Sequence, residues 1–239
     1  MKNPEELKIG LGTGADVTAL VYAAEKSPAD AALILAHGAG AGQQSPFVVS
    51  FARALAARGL DIITFNFLYT EQHRRVPDRR PVLDACYDAI IQAIRQRVDS
   101  ARSGLFIGGK SMGGRIATHV AAADPALPVA GLVLLGYPLH PPGKPTERRD
   151  AHLGDVRRPM LIVQGSRDTF GTPAEFASLM SSLSPPPTMH VVEGGDHSFK
   201  ISRGGKAAQE QVHADVQRTI IEWIDGVRRA AREMPRPLG

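Results

Sequence analysis

Gly108-Gly109-Lys110-Ser111-Met112-Gly113-Gly114-Arg115 separates an apolar run that reads as a strand, Leu105 to Ile107, from one that reads as a helix, Met112 to Ala123. Within it, Gly109 to Gly113 fits G-x-S-x-G, the pattern of a sharp strand-to-helix turn that lifts a serine hydroxyl clear of a sheet. The glycines have a physical reason: side chains beside such a turn would collide with the adjoining strand or helix. Ser111 is therefore the candidate nucleophile. The same letters satisfy a second motif, since Gly104 to Ser111 matches G-x-x-x-x-G-K-[ST], a loop that cradles phosphates. In that motif a strand precedes the first glycine and the four variable residues form the loop. Here those four are Leu105-Phe106-Ile107-Gly108, mostly the strand itself, and Arg97 to Ser103 reads as a polar helix end and turn. Context favours the serine turn over the nucleotide loop. A glycine-rich turn without chemistry is the third reading, and the rest of the chain bears on it.

At 239 residues with 43% hydrophobic content, the chain is long enough for one well-buried core, and a single domain spanning 1–239 is the simplest division. The net charge of +4 is spread over small basic groups such as His73-Arg74-Arg75 and Arg228-Arg229, with no interleaved aromatic set, so nucleic acid is not the expected partner. One cysteine, Cys86, excludes an internal disulfide and fits a reducing compartment, and its place in a helical pattern suggests burial. The N-terminus lacks an apolar signal region and no stretch approaches the ~18 apolar residues of a membrane span, which predicts a soluble, cytoplasmic protein without a membrane partner. The composition carries no signal of oligomeric state.

In chain order, Leu7 to Leu11 and Val17 to Ala24 read as two strands forming an antiparallel sheet edge. Ala32 to Ala36 is a continuous apolar run, as expected of a parallel strand covered on both faces. It exits into His37-Gly38-Ala39-Gly40-Ala41-Gly42, where so many glycines let backbone N–H groups approach a ligand. Pro46 to Arg58 reads as a helix, with Ser45 as N-cap and Gly59 past its end. Asp61 to Phe67 is a strand. Leu68 to Asp78 is a polar loop that reaches over the sheet's carboxyl edge, where Tyr69 either lines a pocket or sits as an ordinary loop aromatic. Pro81 to Val98 has the spacing of an amphipathic helix, and Val129 to Leu135 is a further strand. The span from Leu135 to Met160 is proline-rich and short for a lid domain. Met160 to Val163 is a strand, Pro173 to Ser182 a short helix, Met189 to Val192 the last strand. A closing helix from about Gln209 to Arg229 carries Trp223 toward the core, and the tail from Glu233 is expected to fray.

Three polar residues leave the carboxyl ends of predicted strands in the order Ser111, Asp168, His197. That chain order distinguishes one serine-triad architecture from the others. His197 has the chemistry to take the serine proton, and Asp168 to fix the imidazole tautomer and stabilise its charged form. Asp196, adjacent to His197, is the rival acid; Asp168 is preferred because it has its own strand-end position. The Met112 N–H, at a helix N-terminus directly after the nucleophile, and the Ala39 N–H are the candidate oxyanion donors, with Gly38 or Gly40 as alternatives to Ala39. His37 reads as a structural support of that loop, His119 and His213 as surface or satisfied histidines, and Lys110 as a solvated lysine. Loops carrying Tyr69, Leu139, Phe170 and Phe199 are expected to wall a shallow substrate pocket. No residue pattern calls for a metal or a cofactor.

With His37-Gly38-Ala39-Gly40, the Ser111 turn, Gly165-Ser166-Arg167-Asp168 and Gly195-Asp196-His197 in hand, the chain resembles the α/β-hydrolase superfamily from about Val17 to Arg229. It is similar to the small lidless branch grouped with dienelactone hydrolases, which use a cysteine where this chain has Ser111. Gly108 to Arg115, together with Phe65-Asn66-Phe67 and Gly195-Asp196-His197-Ser198-Phe199, also resembles a hydrolase-like group that includes a testis-expressed protein and a subunit of the NSL chromatin complex. The resemblance implies an α/β fold, a mostly parallel sheet flanked by helices on both faces with no lid domain. It implies a serine hydrolase whose partner is a small-molecule acyl substrate, an ester or lactone, cleaved through an acyl-enzyme intermediate. The alternative it also implies is a non-catalytic scaffold or binding subunit of the same fold.

Overall fold

The computed structural model describes residues 3–25 and 30–233; the tail beyond Glu233, expected to fray, lies outside them. Its strands are β1 (Glu5–Gly10), β2 (Asp16–Tyr22), β3 (Ala32–Ala36), β4 (Asp61–Phe65), β5 (Leu105–Lys110), β6 (Gly131–Leu135), β7 (Met160–Gly165) and β8 (Thr188–Val192). They form one sheet in the order β1-β2-β4-β3-β5-β6-β7-β8, with β1 and β2 antiparallel at one edge and β3 to β8 parallel. The helices are α1 (Pro46–Ala56), α2 (Leu68–Glu71), α3 (Arg80–Arg97), α4 (Asp99–Ser103), α5 (Met112–Ala123), α6 (Pro173–Ser182) and α7 (Gly205–Glu233).

The continuous apolar runs become parallel strands because both of their faces are covered. Along β3 the side chains alternate between two cores: Ile34 joins one containing α3, α5 and α6, while Leu33 and Leu35 join one containing α1 and α7. Trp223 of α7 packs against the second core with its ring 5.9 Å from that of Phe106. Cys86 is buried, as its helical position suggests. Between β6 and β7 the only helical element is a 3₁₀ turn at Leu153–Asp155, so no lid domain stands over the sheet.

The departures from the sequence reading are local. The two edge strands are shifted toward the N-terminus by about two residues, α1 stops at Ala56, and α7 begins at Gly205 rather than near Gln209. The expected polar loop after β4 opens with the single-turn helix α2, which is too short to leave a periodic signal. The glycines that thin β5 also admit a tyrosine: the fully buried Tyr87 of α3 donates its hydroxyl to Gly108 O at 2.7 Å and accepts from Gly108 N–H at 3.0 Å. Tyr87→Phe removes that partner from a buried strand and is expected to lower the unfolding free energy by about 1–3 kcal/mol in urea denaturation. An unchanged midpoint and slope would show that Gly108 is satisfied without the tyrosine.

Candidate active site

Ser111 sits between β5 and α5 with φ 52° and ψ −114°, a backbone conformation that non-glycine residues adopt only when their surroundings impose it. Its N–H donates to Leu135 O at 2.9 Å, and its carbonyl accepts from Arg115 N–H at 3.1 Å. Close backbone approach supplies the rest of the constraint. A Cβ at Gly113 would lie 2.6 Å from Ala36 O and 2.7 Å from His37 O, so only glycine lets the first turn of α5 settle against the end of β3.

Around this turn three side chains lie in a hydrogen-bonded line. His197 Nε2 is 2.8 Å from Ser111 Oγ, and His197 Nδ1 is 2.8 Å from Asp168 Oδ2. Asp168 is 1% exposed, and its second oxygen accepts from Phe170 N–H at 2.8 Å. Gln164, fully buried at the end of β7, donates to Asp168 Oδ2 at 2.8 Å and to Gly171 O at 2.7 Å; the sequence reading did not single it out. Asp196 turns away, its carboxylate accepting from Ser198 N–H and Lys200 N–H and so closing its own loop. The Phe170 ring stacks on the imidazole at 4.1 Å and lines the cleft in front of it.

Met112 and Ala39 both line this cleft beside Ser111. Their N–H groups donate to no backbone carbonyl among the described residues, which leaves both free for a ligand oxygen. The loop bearing Ala39 hangs on His37, which is fully buried: Nδ1 is 2.8 Å from Gly38 O and Nε2 accepts from Phe67 N–H at 3.3 Å. That pairing places the imidazole proton on Nδ1, and burial holds the ring's pKa below its ordinary value.

Three of the four expected wall residues do not wall the cleft. Tyr69 lies on α2, 1% exposed, with its ring turned under the oxyanion loop 6.0 Å from that of His37. Leu139 is fully buried against Gly171. Phe199, at φ 63°, is turned into the second core and backs the ring of Phe47 at 5.9 Å. Phe47 itself, on the first turn of α1, lines this cleft of about 550 Å³ together with Phe170. A signal existed in its position, just after the glycine-rich exit of β3.

Lys110 is also corrected. Expected in solvent, it is 8% exposed, because the last residue of a central parallel strand is covered on both faces. Its Nζ has no hydrogen-bond partner and lies 5.9 Å over the Phe47 ring, a cation–π contact. A Cβ at Gly136 would be 3.0 Å from that Nζ and 3.4 Å from His197 Nδ1, which places the amine beside the imidazole. Burial pulls the Lys110 pKa down to about 8, against the opposing pull of Asp168 and Asp196. Among the described residues no group of histidine, cysteine and carboxylate side chains is arranged to hold a metal, and no helix is long and apolar enough to cross a membrane.

A sheet of this order, a serine on a strained strand-to-helix turn and a strand-end histidine and aspartate define the α/β-hydrolase class of fold. The family model described as "Alpha/beta hydrolase domain" matches residues 29–225, and the chain belongs to that family. Among solved structures it is similar to XC6422 from Xanthomonas campestris, an α/β serine hydrolase without a lid, with a TM-score of 0.71 and 19% identity over 93% of this chain and 96% of that one. It is similar to Est1E from Butyrivibrio proteoclasticus with ferulic acid bound, with a TM-score of 0.73 and 15% identity over 92% and 99% of the two chains. A dienelactone hydrolase from Anabaena variabilis gives 0.69 and 18%, again over 92% and 99%. At these identities the likeness is one of fold.

The Lys110 ammonium carries a stability cost with a defined pH window. A pKa lowered from 10.5 to about 8 corresponds to a penalty on the order of 3 kcal/mol below pH 8, where the buried amine is charged. Between pH 8 and 10.5 the unfolded chain binds the proton that the folded one has released, so this contribution to stability rises with pH and is complete above 10.5. Lys110→Met is expected to be the more stable protein at pH 7, with the gap closing across that window in denaturant titrations. A gap independent of pH would place the ammonium in solvent.

Proposed function

We propose that this protein is a serine hydrolase that cleaves a small ester, lactone or related acyl substrate through an acyl-enzyme intermediate. The observation that carries the reading is the line Ser111 Oγ to His197 Nε2 to Asp168 Oδ2, with both contacts at 2.8 Å. A serine hydroxyl is a weak nucleophile until a base takes its proton. In the proposed reaction Ser111 Oγ attacks the acyl carbon while His197 Nε2 takes the hydroxyl proton, and Asp168 stabilises the imidazolium and holds its tautomer. The carbonyl oxygen becomes an oxyanion that accepts from the Met112 and Ala39 N–H groups. Collapse breaks the bond to the leaving alcohol, which receives the proton from His197. Water, deprotonated by the same imidazole, then releases the acid and restores Ser111. A non-catalytic scaffold of the same fold has no use for a serine held at φ 52° in contact with a half-buried histidine that is itself bonded to a buried aspartate.

A fluorophosphonate probe is expected to label Ser111, with the adduct located by mass spectrometry and lost in Ser111→Ala. Labelling elsewhere, or none on folded protein, would move the chain to the scaffold reading. The same mechanism predicts a preference for short acyl chains. The cleft is open above, and burial of each CH₂ is worth about 0.8 kcal/mol only where apolar walls enclose it. Hydrolysis of aryl esters should fall, or fail to rise, from acetate to octanoate; a steady increase in kcat/KM with chain length would indicate an apolar tunnel.

A further inference from the structure

The cleft has two chemically different ends, with Ser111 between them. One is formed by the first turn of α1, where Pro46, Phe47 and Val48 present an apolar wall. The other is formed by the start of α3, the first turn of α5 and the segment between β6 and β7, and it carries Arg80, Arg115 and Arg149. Arg115 and Arg149 are half-buried, and their guanidinium groups make no ion pair or hydrogen bond among the described residues. Among the described residues no carboxylate bonds to Arg115 or Arg149, although Asp84 pairs with Arg80 at this same end and Asp78 shares the cleft lining. Asp78 pairs with Arg74 at 2.7 Å, Asp84 faces Arg80 at 3.6 Å, and Asp150 is taken by Arg148 at 2.5 Å.

The surroundings register the resulting positive field. Burial, and after it the charge of Arg149 and that of Arg80, press the Arg115 pKa below its ordinary value, against the opposing pull of Tyr137 and Asp84. His119 and His152, stacked at 3.6 Å beside these arginines, are driven to about 3 and about 4, first by burial and then in part by Arg80 and Arg115. Both rings are neutral at pH 7. A fold that gathers half-buried guanidinium groups with no carboxylate in contact with two of them holds them at a cost that a bound anion lowers, and the planar fork of arginine suits carboxylate and phosphate oxygens.

We infer that the substrate cleaved at Ser111 carries an anionic oxygen group, a carboxylate or phosphate, on one side of its scissile ester and an apolar group on the other. Arg115 and Arg149 take the anion, and Phe47 and Val48 receive the apolar part. This rests on the reading of Ser111 as the nucleophile. Arg115 lies four residues after Ser111, about 6 Å along the axis of α5, and both line the one cleft, so an anion on its guanidinium and a scissile ester at Ser111 belong to one small substrate.

The test compares charged esters with neutral isosteres at low salt: a 4-nitrophenyl glutarate half-ester and its phosphonate counterpart against 4-nitrophenyl pentanoate, and acetylated 4-hydroxybutyrate against butyl acetate. These arms separate carboxylate from phosphate and the acyl side from the leaving side. In at least one arm kcat/KM should favour the anionic ester by about tenfold or more. That ratio should fall toward one in Arg149→Gln and in Arg115→Gln, and also in high salt. Ratios near or below one in every arm, or a preference kept by both variants, would overturn the inference. Arg149→Gln decides if Arg115→Gln, so close to the serine turn, fails to fold. If no ester is turned over, the nucleophile reading has failed, and calorimetric titration with glutarate and with inorganic phosphate decides the anion site separately. Binding by wild type that is lost in Arg149→Gln supports it; no binding by wild type ends it.

Discussion

The contact on which the site depends is between backbones: the first turn of α5, at Gly113, lies against the carbonyls of Ala36 and His37 at the end of β3. A side chain there would push the helix away, and the left-handed geometry of Ser111 would relax, since such a conformation persists only where its surroundings impose it. The same contact ties two halves of the site together. Residues 36 and 37 are the floor for the serine turn and also the root of the loop that carries Ala39. His37 then fixes that loop from below through Gly38 and the Phe67 amide, with Tyr69 packed behind its ring. The candidate nucleophile and the candidate oxyanion donors are thus positioned by one junction rather than by separate supports.

The acid is held in a comparable way. Asp168 has one oxygen shared between His197 and Gln164 and the other on the Phe170 amide. Gln164 in turn accepts from Tyr137 N–H at 2.9 Å and donates to Gly171 O, so it ties the exits of β6 and β7 to the carboxylate. A buried carboxylate with both oxygens occupied cannot rotate without leaving a donor unpaired, and that cost fixes the line toward His197. Asp196 turns Oδ1 to two amides of its own loop and leaves the imidazole to Asp168.

What could be read from the sequence follows from how each feature is encoded. Parallel strands such as Ala32–Ala36 are legible because burial on both faces makes them continuously apolar, and residues just past such runs are placed at the carboxyl edge by topology alone. Ser111, Asp168 and His197 stand out in that way, and the structure brings their side chains into contact. Tyr69, Leu139 and Phe199 were misplaced because a residue in an irregular segment has no periodicity to say which way its side chain turns. Tyr69 turns inward on one helical turn, and Phe199 does so through a positive φ. Lys110 misled for a different reason: its charge argued for solvent, while its position as the last residue of a fully buried central strand argued against it. Position was the stronger signal. Arg115 was readable as well, being one turn from Ser111 at a helix end that faces the site.

Charge links these residues to the chemistry proposed for them. In the proposed reaction, when His197 takes the proton of Ser111, a positive charge forms beside the Lys110 amine in the cleft that Arg115 and Arg149 also line. Asp168, buried and in direct contact, offsets most of that cost because opposite charges interact strongly where water is excluded. The remaining field would work against the imidazolium but in favour of the oxyanion proposed to form on the Met112 and Ala39 amides. An anion seated on the two arginines would lower the field felt by the imidazolium. On this reading the uncompensated arginines and the triad are parts of one electrostatic arrangement, in which substrate charge completes what the protein leaves unbalanced.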